Sequence, residues 1–235
     1  VPRRLTATPG DARDPVSTAD TRSLTFLARR EGDGDLLRKG LRASDPETVL
    51  VDSPHEDIPE SFSRDGGTLL FLRRVLEDDS QSAWALPLEE GGAAEPILTD
   101  FRVDETHLSP DGRWFAYVSN ESGRDEVYLE AFRREGDRVR VSTDGGGQPK
   151  WRGDGKELFY TTPTGVLMAV EVRTPGDRLD VSLPTELFEI QGLQGTGYDD
   201  YSASADGQRF LIKQPVEEGR EPRLQIVTNW TSLLE

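Results

Sequence analysis

Asp111 sits in THLSPDGRWFAYVS (106–119), between a serine hydroxyl and a glycine, where a carboxylate could serve a nucleophile or a metal. Four other stretches carry the same types: STADTR around Asp20, SRDGG around Asp65, RGDGK around Asp154 and SADGQ around Asp206. The five aspartates are spaced 45, 46, 43 and 52 residues apart. A catalytic carboxylate is needed once, whereas a turn is needed at every repeat. Asp-Gly suits the tight hairpin turn because both residues accept backbone that other L residues resist. Asp65, Gly66, Asp111, Gly112, Asp154, Gly155, Asp206 and Gly207 are therefore read as structural turns.

Other chemistry finds less support. There is no cysteine, which excludes disulfides, thiolate catalysis and Cys-based zinc sites. His55 and His107 precede or occupy the first strands of successive repeats, but no Gly-x-Ser-x-Gly elbow accompanies them. Paired carboxylates of the glycoside-hydrolase kind have candidates in Asp104, Glu105, Asp199 and Asp200. EGDGDL (31–36) resembles a calcium loop but lacks the distal bidentate Glu, so a turn between second and third strands explains it better. No catalytic residue, metal ligand or cofactor is assigned, and calcium stands as a candidate ligand only.

The elements that must carry these residues follow from the repeat. Each copy has a short strand before the turn, then a β-branched and aromatic strand: TLLFLR, WFAYVS, ELFYTT or RFLIKQ. A third strand follows (SAWALPL, EVYLEAF, VLMAVEV, RLQIVTNW) and a more polar fourth (TVLVDS, PILTD, RVRVST). No segment holds a 3.6-residue period, and 23 Gly and 15 Pro punctuate the chain throughout. Self-similarity near 45 residues with four strands per copy predicts a β-propeller. The expected architecture is all-β: one five-bladed propeller over 1–235, with blades at 15–57, 58–103, 104–147, 148–192 and 193–235. A strand over residues 3–8 would complete the last blade beside Leu224 to Trp230, removing open sheet edges. The alternative is the C-terminal portion of a longer propeller.

SPDGRWFAYVSNESGRDEVYLEAF (109–132), STDGGGQPKWRGDGKELFY (142–160) and SADGQRFLI through VTNW (204–230) resemble the WD40-like PD40 repeats of TolB-like β-propellers. They are most similar to the C-terminal propeller of bacterial membrane-anchored serine/threonine protein kinases. That resemblance implies a binding or sensing module, extracytoplasmic or periplasmic, with catalysis elsewhere. It does not carry over kinase activity, since the nucleotide loop, the His-Arg-Asp loop and Asp-Phe-Gly are missing. The first copy departs from the pattern with STADTR. Similar propellers also gate prolyl-oligopeptidase-type peptidases, the enzymatic alternative beside channel carboxylates.

The balance of charge narrows the partners. A net charge of −16 lacks the basic footprint that nucleic-acid backbones require. No apolar run approaches the ~18 residues of a membrane helix, and VPRRLTATPGDARDP has no signal-peptide core. Only four of 28 basic residues are Lys (Lys39, Lys150, Lys156, Lys213), read here as coding bias. The loops joining second to third and fourth to first strands hold most of the acids, with Arg102, Arg124 and Arg220 as the chief cations. One acidic face is therefore expected, binding through His55, Asp57, Asp104, Glu105, His107, Asp144, Asp199, Asp200 and Tyr201. Its expected partner is a protein or peptide, a basic segment being favoured by charge.

Overall fold

The computed structural model describes residues 5–6, 11–18, 20–30, 33–42, 44–190, 200–213 and 225–228. The expected closing strand over 3–8 lies almost wholly outside them, as do Asp199, Leu224 and Trp230. The chain divides into two compact units, residues 1–108 and 109–235.

The first unit begins with two four-stranded antiparallel sheets. The first contains β1 (Ala12–Ser17), β2 (Ser23–Arg30), β3 (Asp33–Gly40) and β4 (Glu47–Val51). The second contains β5 (Glu56–Phe62), β6 (Thr68–Arg74), β7 (Gln81–Pro87) and β8 (Glu95–Leu98). One parallel bridge, Gly34 to Glu56, joins them. β9 (Val103–Leu108) ends this unit and lies beside β5, β6 and β7.

The second unit repeats the plan. β10 (Trp114–Ser119), β11 (Glu126–Ala131) and β12 (Arg138–Arg140) pair in order. β13 (Gly147–Trp151), β14 (Glu157–Thr161) and β15 (Val166–Arg173) follow, with β16 (Asp180–Val181) and β17 (Thr185–Glu189) both on β15. Last come β18 (Tyr201–Ala203), β19 (Arg209–Ile212) and β20 (Gln225–Thr228).

Burial explains why each strand has its composition. Every residue of β10, WFAYVS, is buried, and so is the centre of β6. Such strands are covered on both faces, so they read as continuous apolar runs. Outer strands such as β8 and β12 are exposed or half-buried and correspondingly polar. Trp114, Ala116 and Val118 of β10 pack with Leu158, Tyr160, Val170 and Val172 of β14 and β15. Phe159 and Leu167 pack in turn with Tyr201, Phe210 and Ile212. Sheets thus stack face to face within the unit through alternate residues.

The first strands share a kink. Asp14, Glu105 and Gln148 have φ of 52, 51 and 55°, each at the same offset before its turn aspartate. Register shifts between Arg13 and Val16, and between Gly147 and Lys150, mark β-bulges there. In β5 the aligned residue is Pro59, whose ring forbids positive φ, and the register shifts between Pro59 and Ser61 instead. A bulge turns the polar start of a strand away from the regular pleat, which re-aims the side chains considered next.

Candidate functional site

The repeated aspartates build turns. Ser63, Ser109 and Ser204 donate their hydroxyls to Asp65, Asp111 and Asp206 at 2.5, 2.6 and 2.5 Å. Each aspartate accepts the N–H two residues on, from Gly67, Arg113 and Gln208. Each serine oxygen accepts the N–H of the residue opening the next strand: Thr68, Trp114 and Arg209. The glycines after the aspartates, Gly66, Gly112, Gly155 and Gly207, have φ of 73, 70, 71 and 71°, the left-handed region that glycine enters at least cost.

Two copies reach the same geometry with other residues. Thr18 and Asp20 reproduce the hydroxyl–carboxylate bond at 2.6 Å, and Thr21 takes the glycine position at φ 54°. In the fourth copy Arg152 replaces serine and grips Asp154 through Nε and Nη2 at 2.7 and 2.9 Å. Hydrogen bonds from Thr18, Ser63 and Ser204 hold the carboxyls of Asp20, Asp65 and Asp206 below their ordinary range, and Arg152 does so for Asp154.

Four of the eight described residues expected on an acidic face are buried and internally bound. Asp57 is fully buried; Arg73 holds it through Nε and Nη2 at 2.7 and 3.0 Å, and Ser53 donates at 2.7 Å. The Arg73 guanidinium also lies 4.2 Å from the Trp84 ring centre. Asp104 accepts from Gln81 at 2.5 Å and from Arg102 at 3.1 Å. Asp200 accepts from the Gln148 amide at 2.9 Å, and its own N–H donates back to Gln148 Oε1 at 2.9 Å. Tyr201 is buried and donates to the Gln148 carbonyl at 2.8 Å.

The remaining positions vary. Glu105 holds the positive φ of 51° in β9, and His107, half-buried, lies further along that strand. His55 is half-buried just before β5, and its carbonyl accepts the Gly34 N–H at 3.3 Å. Asp144 is open, 95% exposed with Arg124 3.5 Å away.

Sequence reasoning missed the arginines that meet these acids. Glu56, with only 4% of its side chain exposed, takes both Nε and Nη2 of Arg29. Arg13 and Arg74 approach the same carboxylate at 3.8 Å each. Arg74 also binds Asp79, which lies 3.5 Å from Arg102. In the second unit Arg124 donates to buried Glu126 at 2.8 Å, and Ser142 and the Gly145 N–H bind its other oxygen. The expectation that this face has few cations is therefore corrected, since the ends of second strands deliver guanidiniums to it. The signal was the doubled arginine closing TFLARR (25–30) and LLFLRR (69–74).

A groove of 530 Å³ opens in the second unit between the turns of Asp111 and Asp154. Its walls include Lys156, Glu157, Glu171 and Arg173. Glu157 and Glu171 are direct cross-strand partners, and Arg152 and Arg173 each pair with one of them at 2.6 Å. Among the described residues no group of three or more His, Asp or Glu is placed to hold a metal ion.

No family model matches the chain. Over 139 residues it is 25% identical to the uncharacterized peptidase YuxL of Bacillus subtilis (strain 168), covering 56% of this chain and 20% of that protein. TolB from Acinetobacter baumannii superimposes with a TM-score of 0.73 at 18% identity, over 96% of this chain and 53% of that one. A putative TolB from Agrobacterium tumefaciens gives 0.69 at 18% identity, over 97% and 80%. Oligogalacturonate lyase from Vibrio parahaemolyticus gives 0.65 at 11% identity, over 97% and 65%. The chain therefore has the all-β fold of TolB-like, WD40-like propellers. It spans about half of the A. baumannii TolB chain and a fifth of the peptidase.

Proposed function

We propose that this chain is a non-enzymatic propeller module that binds a protein or peptide partner through the loops at the starts of its first and third strands. In this reading all five repeats form blades of one domain, with residues 3–8 completing the last. The TolB-like fold supports placing the module outside the cytoplasm, and the resemblance of its repeats to kinase-linked propellers supports a sensing role there. One observation carries the non-enzymatic reading: Asp57, Asp104, Glu126 and Asp200 bind internal donors, several of them spanning successive strands, and so act as structural ties. A calorimetric titration with a partner, followed by mass spectrometry of the mixture, tests it. Saturable, salt-dependent binding with the partner recovered intact is expected; turnover of the partner would overturn the proposal.

The likeness to a peptidase favours a second reading, in which the propeller belongs to a longer hydrolase and screens its substrates. Calcium separates neither reading but tests the open carboxylates. If Asp144 and its neighbours bind the ion, millimolar calcium raises the melting temperature, and more so at low salt.

A further inference from the structure

We propose that one rim of the first unit is a docking surface for an acidic peptide segment, despite the net charge of −16. This rests on the binding-module reading and names the partner's chemistry. A chain of ion pairs runs from Asp11 through Arg13, Glu56, Arg74, Asp79 and Arg102 to Asp104, with Arg29 joined at Glu56.

Its two kinds of carboxylate differ. Glu56 and Asp104 lie underneath, 4% and 13% exposed, whereas Asp11 and Asp79 are 63% and 55% exposed. The four arginines lie between, each about 40% exposed. Asp11 meets Arg13 through one contact, and an exposed pair of that kind contributes roughly 0–1 kcal/mol; Asp79 takes both Nε and Nη2 of Arg74, so an incoming carboxylate must compete with it. The buried pair stays. What this rim offers an incoming chain is then four guanidiniums over two fixed carboxylates, a local excess of positive charge.

Spacing favours a peptide over a compact anion. Arg13, Arg29 and Arg74 gather around Glu56, and Arg102 follows beyond Asp79; they stem from β1, β2, the end of β6 and the loop before β9. Alternate side chains of an extended peptide stand roughly 6.6 Å apart along one side, so successive acids can reach the cluster at Glu56 and Arg102 in turn, which one compact anion cannot. Guanidinium forks bind carboxylates through two parallel hydrogen bonds, which lysine cannot match.

The test is fluorescence anisotropy of a labelled peptide alternating Glu and Ser, titrated with the full chain at low and physiological salt. Binding that weakens as salt rises is expected, together with a roughly tenfold loss in Arg13→Gln/Arg74→Gln. Arg29 still holds Glu56 in that variant. Arg22→Gln, at an 87% exposed arginine of the Asp20 turn, should change nothing. Asp11→Asn/Asp79→Asn should tighten binding, an outcome misfolding cannot imitate. No binding at low salt, or an unaltered affinity in the arginine variant, overturns the proposal. Displacement by low-millimolar inorganic phosphate would assign the rim to compact anions instead. If a Lys-Ser peptide binds and the Glu-Ser peptide does not, the module binds partners elsewhere and only this inference fails.

Discussion

At the scale of single residues, the turn aspartates set the pH response. The folded carboxyls of Asp20, Asp65, Asp154 and Asp206 ionise below the value near 3.9 of an unfolded chain. Their contribution to stability is therefore full above that value and is lost as pH falls through the folded pKa. Melting temperature, followed by circular dichroism, should hold steady from pH 7 to about 5 and drop below 4; Asp65→Ala should blunt the drop. Thr21 makes the complementary case. A β-branched residue at φ 54° costs about 1–2 kcal/mol, and glycine there forfeits roughly 0.5–1 of that through greater freedom in the unfolded chain. Thr21→Gly should stabilise by about 0.5–1 kcal/mol in urea denaturation. Destabilisation would mean that the threonine side chain makes an interaction worth more than its strain. Asp57 is the residue whose loss should hurt most. Asp57→Ala strands Arg73 with 15% exposure, and breaking such a buried pair costs about 3–5 kcal/mol. The same urea experiment reads it, and pairing the change with Arg73→Leu should recover much of the loss.

At the scale of elements, the second strand is the pivot of the first four repeats. Its apolar run is buried on both faces, and in the first two repeats its C-terminal end delivers the arginines that tie acids at the starts of neighbouring strands. Phe159 of β14 shows what the packing is worth: it is fully buried and meets Phe210 edge to face at 5.0 Å. Phe159→Ala should cost about 3–5 kcal/mol in denaturant unfolding; a loss below 1 kcal/mol would mean that these sheets do not pack as described. The strands and turns were legible in the sequence because period-2 patterning and Asp-Gly turns are local signals. The positive φ at Asp14, Glu105 and Gln148 was not, since these residues lie inside strands, where period-2 patterning implies extended backbone. Nor was the second partner of β15: β16 and β17 both pair with it, where one fourth strand was expected.

At the scale of the molecule, a net charge of −16 means self-repulsion that salt relieves. Raising ionic strength from about 0.01 to 0.15 M shortens the Debye length from roughly 30 to 8 Å. The melting temperature should rise over that range, and a fall would mean that ion pairs outweigh the repulsion. The repeat period, the four-strand unit and the chemistry of the Ser-x-Asp-Gly turns were all determined by sequence alone, because each depends on residues within a few positions of one another. The fate of the charges was decided only in three dimensions. Glu56 and Asp57 read as members of a solvated acidic face on a charge count, since loops are exposed and acids are solvated. Folding instead places Arg29, Arg73 and Arg74, at the far ends of second strands, beside acids from other elements. The arginine excess that composition offers as coding bias thereby acquires a structural use. A count of charges along a loop cannot foresee this, because the partner of a carboxylate is chosen by sheet pairing and strand ends, tens of residues away.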